Sequence, residues 1–333
     1  MKKLLLIIAV VLAGTNTATA VDNNTVEIVY NGSSATVTIA SNISNYVTVS
    51  SGSSSHVKLI QSEQFAGINP TVDNTDGEII YVLSGTSTDG EFYLEGSFKC
   101  TVELNGLTLT NPSGPALNIQ DGKRISLSAK KGTTNSLSDG LNENYNGCIH
   151  CKGHLELKGK GTLNVSGNSK HGIYSKEYME IKNLTLNVTS AVKDALHCKE
   201  FFWMKSGTIS LSGASDDGIQ VELSSDATTV ATTDHEDENT GNFYQDGGVL
   251  TIQNYQGKAV KADGTITYNG GTQNFDTSDT EILSGIRLVH SSTTNGIQTI
   301  YDLNGRQLPT TTTLLKGIYI VKKNGKTQKV VFK

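Results

Sequence analysis

Gly147-Cys148-Ile149-His150-Cys151-Lys152 returns, altered but in phase, as His171-Gly172-Ile173-Tyr174-Ser175-Lys176, Asp194-Ala195-Leu196-His197-Cys198-Lys199 and Asp217-Gly218-Ile219-Gln220-Val221-Glu222. The anchors Ile149, Ile173, Leu196 and Ile219 recur at a near-constant interval. A short alternating strand returning at a fixed period in the twenties is the mark of a solenoid. Two further strands fit inside each period. The second carries Leu155/Leu157, Met179/Ile181 and Phe202/Met204; the third carries Leu163/Val165, Leu186/Val188 and Ile209/Leu211. Three short strands per coil predict an all-β chain, a right-handed parallel β-helix. Equivalent side chains should then stack about 4.8 Å apart.

Working outward, earlier strands are expected from residue 79, with Asn105-Gly106 as a tight corner. The spacing from Leu117 to Ile149 leaves an excess at 133–146. The spacing from Ile219 to Val260 leaves an insertion at 224–241, whose acids Asp234, Glu236, Asp237 and Glu238 read as a solvated loop. Residues 21–60 form short strands joined by Gly/Ser turns and should cover the open end of the solenoid. The expected organisation is a signal peptide at 1–20, an N-terminal β segment at 21–60, the β-helix at 61–276, a linker at 277–290 and a small C-terminal β-sandwich at 291–333.

Lys2 and Lys3, a short apolar run and Ala18-Thr19-Ala20 make the segment from Met1 to Ala20 a secretory signal. The run is too short to span a bilayer. Export leads to a secreted protein, extracellular or on the outer-membrane surface. The net charge of −5 hides an asymmetry. From Glu281 onward stand eight Lys/Arg and two acids; removing these and the two signal lysines leaves 17 basic and 30 acidic residues at 21–280, net −13. Such a body repels nucleic acid and suits divalent cations. Cys151 and Cys198 fall on the inward position two after the aliphatic anchor, so they read as buried small hydrophobes. Cys148 and Cys151 lack the second CxxC that a structural zinc site needs.

Stacking turns sequence columns into surface rows. The outward positions of the first strand collect His150, Tyr174 and His197, then Lys152, Lys176 and Lys199. The lysine row reads either as a solvated edge or as a track for an extended polyanion such as a uronate polysaccharide. Trp203 alternates with Phe202 and Met204 and faces out, as a sugar platform or as packing under a loop. Asp194, Asp216 and Asp217 share one corner of adjacent coils, with Glu222 as a further candidate ligand. Clustered carboxylates disfavour joint ionisation unless a cation binds, and Ca²⁺ takes six to eight oxygens. The alternative is a hydrogen-bonded Asp corner.

Two resemblances add to this. Tyr301-Asp302 with Gly305-Arg306, then Lys316-Gly317-Ile318-Tyr319-Ile320-Val321 and the basic end resemble the C-terminal sorting domain of the Bacteroidetes type IX secretion system. That implies passage through the outer membrane by the type IX secretion machinery. Tyr81-Val82-Leu83-Ser84-Gly85, Leu104-Asn105-Gly106-Leu107, Gly132-Thr133-Thr134-Asn135, Lys193-Asp194-Ala195-Leu196 and Ser215-Asp216-Asp217-Gly218-Ile219 resemble the bacterial β-helix proteins that bind polygalacturonate and are akin to family nine pectate lyases. The resemblance implies calcium-dependent binding of acidic, pectin-like polysaccharide, with Asp194, Asp216 and Asp217 on the calcium. The expected function is therefore a non-catalytic carbohydrate-binding protein. One alternative is a calcium-dependent pectate lyase acting by β-elimination, with Lys193, Lys199 or Lys258 as base. The other is a surface adhesin.

Overall fold

The structure, a computed structural model, describes residues 21–50, 55–63, 65, 78–225 and 238–276. In the C-terminal segment it describes 298–301, 307–308, 317–323 and 326–332. The signal segment 1–20, the linker and the acids Asp234, Glu236 and Asp237 lie outside these residues. Among the described residues no helix is long and apolar enough to cross a membrane.

Strands pair in parallel with the third strand on, so three strands make one coil of a β-helix-like solenoid. The first face stacks His56–Gln61, Glu91–Gly96, Leu117–Asp121, Gly147–Cys151, His171–Ser175, Leu196–Lys199, Ile219–Glu222 and Val260–Ala262. The second stacks Ile125–Ala129, Leu155–Gly159, Met179–Lys182, Phe201–Met204, Asn242–Gln245 and Ile266–Tyr268. The third stacks Thr134–Asp139, Thr162–Gly167, Leu184–Ala191, Gly207–Ser212, Val249–Gln253 and Thr272–Phe275. Cys100–Asn111 serves both the second and third faces, pairing with Ile125–Ala129 through its first half and with Thr134–Asp139 through its second. It turns the edge at Gly106, where φ is +77°, a conformation that glycine adopts without a Cβ penalty.

The register is what the repeat spacing requires. Leu117, Ile149, Ile173, Leu196, Ile219 and Val260 stand one above another inside the first face. Leu163, Leu186, Ile209 and Leu250 do the same in the third. These columns are buried. Phe202 and Phe243 stack with ring centroids 5.1 Å apart. Gly172 is the second residue of its strand, where a Cβ would come within 2.7 Å of Val188 Cγ1 and 2.6 Å of the Ala195 carbonyl. Cys100, Cys148, Cys151 and Cys198 are all buried free thiols.

The N-terminal segment is drawn into the solenoid: Thr25–Asn31 pairs in parallel with Ile79–Ser87, and His56–Gln61 pairs in parallel with Glu91–Gly96. The outermost strands Ser34–Ile39 and Val47–Val49 run antiparallel to their neighbours and end the ladder. The C-terminal strands Gln298–Tyr301, Gln307–Leu308, Gly317–Lys323 and Lys326–Phe332 form one antiparallel sheet. A sandwich needs two sheets, and the described residues give one. Glu238 departs from its expectation as a solvated acid. It is buried and accepts hydrogen bonds from Asn242 Nδ2 at 3.0 Å and the Tyr244 hydroxyl at 2.7 Å.

The corner at Gly106 depends on one side chain. Asn135 is buried, and its Oδ1 accepts the Gly106 and Leu107 amides, both at 2.9 Å. Asn135→Ala strands two amides and should cost about 2–4 kcal/mol, whereas Asn187→Ala on the outer surface of the third face should cost under about 1 kcal/mol. Urea denaturation of the two variants checks the contrast.

Candidate functional site

On the outside of the first face the side chains form a grid. Along the solenoid axis one column runs His150, Tyr174, His197, Gln220, Lys261, held in register strand by strand. Its rings stack: His150 on Tyr174 at 5.2 Å between centroids, Tyr174 on His197 at 5.4 Å. Tyr145 adds an edge contact to His150 at 5.2 Å. To one side run Lys152, Lys176 and Lys199, at or just beyond the end of each strand. To the other side stand His171, which opens its strand, and Asp194 and Asp217 just before theirs, with Lys170, Lys193 and Asp216 immediately before them.

Asp194, Asp217 and Glu222 are engaged by bases from their own or neighbouring coils. Asp194 is buried; its Oδ2 lies 2.9 Å from His197 Nδ1 and 3.1 Å from His171 Nδ1, and its Oδ1 accepts the Asp217 amide at 3.0 Å. Burial alone would raise the Asp194 pKa, but the hydrogen bonds from the two imidazoles outweigh it and hold the carboxyl well below the usual range. Asp217, also buried, accepts the Lys258 amide at 2.7 Å and faces the Lys261 ammonium at 3.2 Å. Burial would lower the Lys261 pKa; the contact with Asp217 reverses this and raises it. Glu222 lies 3.5 Å from His197 Nε2 and 3.6 Å from Lys199 Nζ. Lys152, Lys176 and Lys193 have no carboxylate within ion-pair distance among the described residues. His150 stays neutral near pH 7, because burial, with Lys170 nearby, lowers its pKa to about 4. Of the ring column only His150 keeps partial exposure, Tyr174 and His197 being buried against the expectation of an outward row; the earlier coils present unpaired ammonium groups on both sides of it. The later coils neutralise themselves.

The family described as "Carbohydrate-binding domain-containing protein" matches residues 67–305, the greater part of the chain. The chain belongs to this family. No curated protein matches it. Among solved structures it is similar to a polysaccharide lyase-like protein from C. thermocellum, determined as a gadolinium derivative, with a TM-score of 0.57 and 20% identity. The alignment covers 74% of this chain and 99% of that one. At that identity the likeness establishes the fold alone.

Within this carbohydrate-binding protein the expected site residues divide. His150, Tyr174 and His197 come together with Lys152, Lys176 and Lys199 on one face. Asp194, Asp216 and Asp217 each place a carboxylate oxygen within 4.8 Å of the others. Glu222 does not join that corner. It sits at the far end of its strand, where Gln220 donates to its Oε1 at 2.8 Å. Trp203 lies on the second face, apart from the grid. The Lys205 ammonium covers one side of its ring at 3.8 Å, and its Nε1 donates to Asp246 Oδ2 at 2.7 Å. The outward position was legible from alternation; the covering lysine came from a side chain two positions on. On the same face Lys158 pairs with Glu156 at 3.8 Å and Lys205 with Glu180 at 2.8 Å.

Sequence reasoning missed His171 as a partner of Asp194. It also missed the cluster of His154, Glu177 and Glu200, whose ligand atoms lie within 4.8 Å of one another. His154 Nε2 is 2.9 Å from Glu177 Oε2 and 3.5 Å from Glu200 Oε2. Each of the three follows the one before by a single repeat, so the repeat carried the signal. Burial lowers the His154 pKa, but the two glutamates outweigh it and raise it to about 9. A histidine pKa raised on folding stabilises the protein below its unfolded value near 6.5, and the contribution is lost as pH rises through about 9. Urea midpoints measured from pH 6 to 10 should fall over that window, and His154→Gln should flatten the fall.

Proposed function

We propose that the protein is a non-catalytic module that binds acidic, pectin-like polysaccharide along the first face. The observation that carries this reading is the set of ammonium groups without carboxylate partners among the described residues, Lys152 and Lys176 on one side of the first face and Lys193 on the other, beside the half-buried ring of His150. Ammonium groups free of carboxylates and repeated along a parallel ladder attract the uronates of an extended chain. Membership of a carbohydrate-binding family supports the substrate class. Calcium belongs to the proposal as a bridging ion. Asp194 fits it poorly, since its oxygens already face two imidazoles and an amide. Asp216 and Asp217 are the residues that would hold it, with glycan carboxylates completing an oxygen shell.

The solenoid is read as right-handed, because parallel crossovers are right-handed in nearly all sheets; a crystal structure with left-handed coils would remove that part. Export through the signal at 1–20, and through the type IX secretion machinery that the C-terminal segment resembles, completes the reading. Deleting residues 291–333 should then leave the protein behind the outer membrane.

A glycan array with and without chelator tests the function: polygalacturonate should give signal, stronger with calcium, and its silence under both conditions would leave a protein-binding adhesin ahead. Lys176→Ala and Lys193→Ala should each weaken polygalacturonate binding about 2–5-fold, the size of an exposed charge contact, with the loss shrinking in high salt. A rise in ultraviolet absorbance from unsaturated product would instead establish a lyase.

A further inference from the structure

We propose that His171, Asp194 and His197 form a binding site for a zinc-class divalent cation, separate in its chemistry from the calcium corner. The three side chains arrive from two adjacent coils and are almost wholly enclosed, at 8%, 2% and 8% exposed. Both Nδ1 atoms converge on one oxygen, Asp194 Oδ2, at 3.1 and 2.9 Å. The imidazole rings lie 4.4 Å apart between centroids and are tilted by 40°. Two imidazole nitrogens and one carboxylate oxygen are the donors that zinc, cobalt, nickel and copper take, while calcium takes oxygens.

Three surroundings point the same way. The other Asp194 oxygen is fixed by the Asp217 amide at 3.0 Å. The other nitrogen of His197 faces Glu222 Oε2 at 3.5 Å. A carboxylate behind a ligating histidine holds the ring's orientation and raises its basicity. Finally, His171 Nδ1 is faced by both an acceptor, Asp194 Oδ2, and a donor, the Asp194 amide at 3.3 Å. No tautomer of the ring serves both. A cation at the centre takes lone pairs from the two Nδ1 atoms and from Oδ2 at once.

The test is titration of the chelator-treated full chain with ZnCl₂ by calorimetry and with CoCl₂ by visible absorption. One tight site per chain is expected, unaffected by millimolar calcium. His171→Gln and His197→Gln should each cost more than the roughly 10–100-fold typical of a supporting group. Glu222→Gln should cost about 10-fold, and Asp216→Asn should change nothing. Imidazole ¹⁵N spectra of the unmodified chain give a readout independent of variant folding: zinc should move the Nδ1 signals of His171 and His197. The proposal fails if zinc does not bind, if binding survives both histidine variants, or if the ring that moves is His154, which would place the cation at the Glu177/Glu200 cluster.

Discussion

Everything in this protein rests on the parallel in-register ladder. Each strand donates and accepts backbone hydrogen bonds with the equivalent strand one coil away, which fixes the neighbours to about 4.8 Å. The register leaves every side chain standing on its equivalent from the preceding repeat. Interior columns therefore fill with whatever packs on its own kind: aliphatics on the first face, phenylalanine rings at Phe202 and Phe243, and small residues such as Gly172 where a strand starts against its neighbours. Where the coil must turn sharply, a single buried side-chain amide, that of Asn135, takes up the backbone amides that the corner releases.

The same rule creates the electrostatic problem of the surface. A charge placed in a repeating position meets its equivalent one coil on, and like charges so placed repel. The chain resolves this by changing the residue type as the column advances. His171 gives way to Asp194 and then Asp217; Lys199 gives way to Glu222. Each acid thus meets a base from the neighbouring coil. The buried Asp194 shows the strictest case, since an enclosed carboxylate is tolerated only when its oxygens are satisfied. Pairing of this kind consumes the later coils and leaves Lys152, Lys176 and Lys193 unpaired around the rings of the earlier ones. Family membership in carbohydrate binding fits a surface with that asymmetry.

Much of this was legible in the chain. The spacing of Ile149, Ile173, Leu196 and Ile219 placed the strands and told inward from outward positions, because period-two alternation and a fixed coil length leave little freedom. It also placed His150, Tyr174 and His197 in one row and buried Cys151 and Cys198. The pairings across columns were less accessible. Glu222 reads as a companion of Asp216 and Asp217 by charge, but its short strand carries it to the opposite edge of the face. Trp203 reads as outward by alternation, as a platform or as packing; it is Lys205 that folds back over its ring. Glu238 reads as a loop acid, yet Asn242 and Tyr244 enclose it.

The sequence by itself determined the architecture, since a fixed repeat with three alternating strands admits few packings that bury every aliphatic column. It also determined which residues share a row. Only the tertiary structure decided which members of neighbouring rows touch. Side-chain reach and rotamer operate over a few ångströms, on distances that sequence spacing does not specify. That difference decides that, of the three aspartates sharing the corner, Asp194 is the one held between His171 and His197.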